Sequence, residues 1–218
     1  MGKTVTANIL AYDGQKLLLK PDESISRELA QKSITRAEIR LDDGRRISAD
    51  QRKKIFALIG DIAEWNGDAP EALRPILTWQ FRALYDVPDF SLSDVDMSTA
   101  KDFINYLIDF CFDHAVPTRD TLLNRTDDIG KYLYSCLEHR KCAVCNDPAE
   151  VHHVDKIGMG RDRERVVHIG LRAIALCRKH HEEAHRNEKA LFAKYHIYGI
   201  RLDKYLCDVL RLNADERR

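Results

Sequence analysis

The stretch from Cys142-Ala-Val-Cys145 through Glu150-Val-His-His-Val-Asp155 to Cys177-Arg-Lys-His180-His181-Glu-Glu-Ala-His185 decides how this chain folds, because two spaced pairs of metal-type ligands bracket a histidine pair. A tetrahedral Zn²⁺ needs four soft or borderline donors, and two x-x-spaced pairs joined by a loop supply them with little strain. Cys142, Cys145, Cys177 and His180 fit that need. The 31 residues between Cys145 and Cys177 exceed a short zinc-finger spacer, so they must form structure of their own. A lone Cys-x-x-Cys is often just a pair of small buried hydrophobes. Here, however, six of the nine histidines fall within the 34 residues 152–185, and a structural metal is the better reading.

The remaining histidines point to chemistry. Valines flank His152 and His153, which predicts an extended strand whose successive side chains face opposite sides, so the two should have different jobs. His181 and His185 stand four apart after a predicted helix start and share one helical face. A second ion held by His152, His181 and His185 would leave coordination positions open for a phosphate and a water. His153 would then be the general base, since a neutral imidazole with a pKa near ~6.5 can take a proton from water. Such an arrangement predicts phosphodiester hydrolysis.

The intervening loop adds charge of the right sign. From Lys156 to Lys179 there are seven basic residues against two acidic ones. Lys156, Arg161, Arg163 and Arg165, beside Gly158 and Gly160, form a candidate surface for a nucleic-acid backbone. The plainer reading of a basic run alone is a solvated loop.

Composition bounds the rest. The chain has 218 residues, 44% hydrophobic, with 35 basic and 35 acidic side chains, enough for a real core in one or two domains and no whole-molecule attraction to polyanions. No apolar run approaches the ~20 residues of a membrane span, and Met1-Gly-Lys is not followed by a signal-type core. The expectation is a cytoplasmic protein without a membrane partner. Cys111, Cys136 and Cys207 sit in apolar surroundings and read as reduced, buried thiols without a function.

Toward the amino terminus, residues 4–12 and 16–20 flank Asp13-Gly14, and residues 37–41 and 45–47 flank Asp43-Gly44, which predicts two β-hairpins with a short helix over 23–32 between them. Ser48 and Gln51 form a capping-box signature for a helix ending at Asn66-Gly67. Pro70 suits the first turn of the next helix, in which Pro75 implies an early start or a kink. Thr99 with Asp102 opens a third helix, residues 127–137 form a fourth, and residues 189–210 read as one or two terminal helices. Trp65, Trp79, Phe81 and Tyr85 could stack on single-stranded bases, but their helical spacing favours the core for most of them.

Residues 138–187 resemble the HNH endonucleases, whose ββα-metal fold places a His pair on the first strand and a last His on the helix, with Cys-x-x-Cys and Cys-x-x-His pairs bracketing them in zinc-stabilised members. By position, the resemblance makes His152 a catalytic-metal ligand, His153 the general base, and His181 the final ligand with His185 in addition. The middle Asn of that family, which orients the strand-loop backbone and the base, has no counterpart here; Arg172 occupies roughly its place and His168 lies nearby. A weakened site is the corresponding expectation.

Residues 62–72, with the hairpin and helix order around them, look like the phage Orf (NinB) recombination mediators, and the whole arrangement is similar to phage HNH proteins in which such a region precedes the nuclease module. That resemblance implies a dimer that binds single-stranded DNA and works with single-strand-binding protein, in a bacterial host cytoplasm. The expected architecture is therefore α+β: a DNA-binding and dimerisation domain over 1–116, a linking helix over 117–137, a zinc-stabilised HNH module over 138–187 and carboxy-terminal helices over 188–218. The expected activity is cleavage of single-stranded or branched DNA with structural Zn²⁺ and catalytic Mg²⁺ or Mn²⁺. The alternative is a zinc-containing DNA-binding mediator without catalysis.

Overall fold

The structure, a computed structural model, describes residues 5, 7–32, 35, 39, 44–155 and 166–214. The first hairpin forms as its turn chemistry predicts. β1 (Ala7–Tyr12) and β2 (Leu17–Pro21) pair antiparallel, Gly14 takes φ 96°, and Asp13 Oδ1 accepts from the backbone of Gln15 at 2.9 Å and Lys16 at 2.7 Å. Ile9, Leu10, Tyr12 and Leu18 are all exposed on it. α1 (Ser26–Lys32) follows. The strand expected over 37–41 lies largely outside the described residues. On the described side, Arg46 bridges antiparallel to Asp96, and Ile47 N–H donates to the Val95 carbonyl at 2.7 Å.

Three longer helices then build the amino-terminal part of the core. α2 (Ala49–Asn66) starts at a complete capping box, with Gln51 N–H donating to Ser48 Oγ at 3.0 Å and Ser48 N–H to Gln51 Oε1 at 3.1 Å, and Gly67 ends it at φ 81°. α3 (Pro70–Tyr85) has Pro70 in its first turn and runs on through Pro75. α4 (Met97–Asp113) begins earlier than Thr99. Asp96 is its cap, accepting from Thr99 N–H at 2.8 Å, because a carboxylate there serves both the orphan amides and the helix dipole.

Ile55, Leu58, Ile59 and Ile62 of α2, Leu77 and Phe81 of α3, and Phe103, Ile104, Leu107 and Ile108 of α4 are almost fully buried. Each such side chain contributes about 1.5–3 kcal/mol. Helical spacing favours the core for most of the four aromatics, yet of these only Phe81 is core, packed 5.1 Å from the Phe103 ring, whereas Trp65, Trp79 and Tyr85 are 43%, 66% and 56% exposed. The inward stripe of α3 is Leu73, Leu77 and Phe81, and Trp79 falls off it.

α5 (Leu122–Arg125) and α6 (Ile129–Glu138) lead to the candidate site. α6 packs on α4 with one face and on a three-stranded antiparallel sheet with another. That sheet has the order β3 (Glu150–His153), β4 (Arg172–Leu176), β5 (Ile200–Arg201). α7 (Arg178–Tyr195) leaves the end of β4, and α8 (Lys204–Leu210) closes the described chain. The fold is thus α+β, with one correction: the segment after residue 187 is not helical throughout, since β5 joins the sheet beside Arg172 and Ala173. Two paired residues leave no periodic signal in a sequence. Among the described residues one buried cluster runs from Ile47 to Leu210, taking in Cys111, Cys136 and Cys207 as expected. No described helix is long and apolar enough to cross a membrane.

Candidate metal centres

Among the described residues, two clusters of metal-type ligands gather around the sheet and α7. In the first, Cys142 and Cys145 come from a tight turn after α6, while Cys177 caps α7 and His180 lies in its first turn. The turn is held from several sides. Cys142 N–H donates to the Asp147 carbonyl at 2.7 Å, Ala143 N–H to Ala175 in β4 at 2.9 Å, and Asn146 N–H to Cys142 at 2.9 Å. Asn146 adopts φ 63°, and its side chain donates to Tyr132 Oη at 2.8 Å while accepting from Leu122 N–H at 2.7 Å. Tyr132 in turn donates to the Ala143 carbonyl at 3.1 Å, so α5 and α6 are pinned to the turn.

Donor separations in this cluster come close to the edges of a tetrahedron around zinc. His180 Nδ1 lies 3.4 Å from Cys142 Sγ, 3.6 Å from Cys145 Sγ and 3.2 Å from Cys177 Sγ, and the sulfurs of Cys145 and Cys177 are 3.6 Å apart. Bond lengths of about 2.3 Å to sulfur and about 2.0–2.1 Å to nitrogen give edges of about 3.5–3.8 Å. Burial pushes the Cys142 and Cys145 thiols up, although backbone N–H groups of Cys177, Val144 and Cys145 favour the Cys142 thiolate. A divalent cation supplies the positive charge that converts such thiols to thiolates. This residue set fits structural zinc.

The second cluster brings together His152 of β3 with His181 and His185 of α7. Their ring centroids are 4.9 Å apart for His152 and His181, 5.2 Å for His152 and His185, and 4.7 Å for His181 and His185. One ring nitrogen from each lies within 4.8 Å of the others, as a shared ion requires. His152, opposite Ile174 in the strand register, is 5% exposed, and burial lowers its pKa from the usual histidine value. A neutral ring is the ligand form. Its Nδ1 is buried without a hydrogen-bond partner, an orphan lone pair that an ion would satisfy. These histidines fit a second divalent metal.

His153 stands apart from that triad. Its Nε2 lies 3.3 Å from Nδ1 of His168, with ring centroids 5.0 Å apart. His168 is buried, and burial holds its pKa below the usual histidine range. Arg172 occupies no catalytic cluster; its side chain and backbone both bind Asp155 just beyond β3, with Nη2 at 2.6 Å from Oδ1 and N–H at 2.7 Å from Oδ2. Lys156, Arg161, Arg163 and Arg165, the candidate DNA contacts, lie outside the described residues.

Two carboxylates near the triad escaped sequence reasoning. Glu188 Oε2 is 2.9 Å from His152 Nε2, and Glu150 Oε2 is 3.2 Å from His181 Nδ1. Glu150 could have been found from its two-residue spacing to His152 along a strand. Glu188 could not, because Asn187 breaks α7 with φ −158° and ψ 84°, and helical phase before it says nothing about positions after it.

A family model described as "Putative HNHc nuclease" matches residues 20–213 of this chain. No curated protein and no solved structure matches it.

Proposed function

The chain belongs to the family of those HNHc nucleases, and from that premise we propose that it is a metal-dependent DNA endonuclease in which His153 is the general base. Zn²⁺ held by Cys142, Cys145, Cys177 and His180 would lock the turn before β3 and the end of β4 to α7. His152, His181 and His185 would hold Mg²⁺ or Mn²⁺, which when bound stabilises negative charge developing on the phosphate. The observation that carries the reading is the convergence of these three histidines, from two different elements, beside a separate four-ligand cluster.

The protein's own part is proton handling and orientation. His153 accepts a proton from the attacking water as its oxygen bonds to phosphorus and the leaving P–O bond breaks. His168, 3.3 Å from His153 Nε2, restrains the ring. The Arg172–Asp155 pair ties the exit of β3 to β4, the loop-orienting work for which the family uses the absent Asn. Lys156, Arg161, Arg163 and Arg165 would approach the nucleic-acid backbone, as their charge suits them to do.

For the amino-terminal part we infer single-stranded or branched DNA as the ligand, delivered to the nuclease during recombination or replication. Exposed Trp65, Trp79 and Tyr85 support this, since aromatic faces in solvent can stack on unpaired bases. A homodimer working with single-strand-binding protein rests on the likeness of residues 62–72 to the Orf mediators.

The test is to incubate zinc-loaded protein with single-stranded, branched and duplex DNA in Mg²⁺ or Mn²⁺, alongside His153→Ala. Cleavage by the wild type that is lost in the variant, at unchanged zinc content, is the expected result. Tight DNA binding with no cleavage under any metal would leave a non-catalytic mediator instead.

A further inference from the structure

We propose that Glu188 is a positioning residue that fixes the tautomer of His152, so that His152 offers Nδ1 rather than Nε2 to the ion it shares with His181 and His185; this rests on the metal-dependent reading above. The Glu188 carboxylate lies 2.9 Å from His152 Nε2. A carboxylate can only accept, so Nε2 carries the proton and donates it, which leaves the lone pair on Nδ1. Nδ1 is the atom found buried and without a partner. Both halves of the ring therefore give the same assignment: one nitrogen is occupied by an acceptor and the other is turned to a place where only a donor or a cation could satisfy it.

The backbone explains how Glu188 reaches that nitrogen. His181 and His185 lie on the first segment of α7, and the extended conformation of Asn187 ends that segment just before Glu188. Asn187 Oδ1 then accepts from Ala190 N–H at 3.1 Å and restarts the helix, so Glu188 stands at the head of a new segment with its own direction. Its side chain is 32% exposed, while the His152 side chain it holds is 6% exposed. Glu150 makes a similar contact to His181 at 3.2 Å but is 60% exposed, so water competes for it. A carboxylate on the far nitrogen of a metal-binding histidine orients the ring and raises its basicity as a ligand.

The experiment compares wild type, Glu188→Ala and Glu188→Gln in zinc-loaded protein, reading the His152 tautomer by ¹⁵N NMR before addition of a second ion and the Mn²⁺ affinity by calorimetry. Wild type and Glu188→Gln, whose amide oxygen can accept the same hydrogen bond, should show the Nε2–H form. Glu188→Ala should lose that preference and bind Mn²⁺ about 10–100-fold more weakly at unchanged zinc content. An unchanged tautomer and affinity in Glu188→Ala overturns the inference, and with wild-type DNA cleavage intact it does so without touching the nuclease reading. Complete loss of Mn²⁺ binding in both variants overturns it as well, because Glu188 would then be a ligand itself. A wild type that binds neither Mn²⁺ nor Mg²⁺ overturns both the positioning role and the metal-dependent reading, whatever the tautomer of His152.

Discussion

Arg172 grips Asp155 through its guanidinium, at 3.0 Å from Nε and 2.6 Å from Nη2 to Oδ1, and through its own backbone N–H at 2.7 Å to Oδ2. These hydrogen bonds hold the Asp155 carboxyl below the usual carboxylate range. Asp155 lies two residues beyond His153, so the pair sets how the chain leaves β3. Replacing Arg172 with Lys removes the fork and keeps the charge. The melting temperature should barely move, since the pair is exposed. DNA cleavage should fall by tenfold or more, because misplacing a catalytic group by about 1 Å can cost about 10²-fold. Asp155→Asn should match it, and the double variant should be no worse than either single one, as read by single-turnover cleavage.

Stripping zinc tests the scaffold. A zinc ion on the four candidate ligands would tie the Cys142–Cys145 turn and the end of β4 to α7, and Cys142, Ala143, Leu176 and Cys177 are buried there. Zinc binding supplies about 10–16 kcal/mol of apparent free energy in zinc-finger peptides. Even about 3 kcal/mol of that would lower the melting temperature of a chain this size by about 6–12 °C. A strong chelator, or Cys145→Ala, should produce at least this fall in calorimetry, with stoichiometric zinc release. An equal melting temperature before and after chelation would deny the metal a structural role.

The grouping of the candidate ligands could be read from the sequence because they obey two short periods. His181 and His185 share a face by the i, i+4 rule, and His152 and His153 part company by strand alternation. What could not be read depends on contacts between elements. Glu188 follows a broken helix, β5 is two residues long, and the partner of Arg46 is Asp96, fifty positions on. The exposed Trp79 shows the same limit from another side: α3 carries more apolar residues than one face can bury, and periodicity does not say which of them turn outward.

Gly199 marks how closely β5 approaches the site. A Cβ there would lie 2.5 Å from Val154 Cγ2 and 3.3 Å from Arg172 Cβ. Val154 is β-branched and sits between His153 and Asp155, so it has few rotamers into which to retreat. Gly199→Ala should therefore destabilise by about 1–3 kcal/mol, the usual cost of overpacking, and should lower cleavage through displacement of β3. Gly60, whose added Cβ meets nothing within 4 Å, is the control. Gly60→Ala sits inside α2, where alanine is favoured over glycine by about 1 kcal/mol, so it should stabilise in a denaturant titration.

Acid should loosen the protein through His168. Burial depresses its pKa in the fold, whereas the unfolded chain protonates it near ~6.5. Above that pH neither state binds the proton and His168 is neutral in both. As pH falls below it, the unfolded chain takes up the proton first, so stability declines until the folded pKa is reached and then levels off. His168→Gln removes this titration while leaving a side chain able to hydrogen-bond His153. Melting curves from pH 7.5 to pH 5 should show a shallower decline for the variant than for the wild type. Parallel curves would mean that the His168 ring takes its proton as readily inside the fold as outside it, against the desolvation its burial imposes.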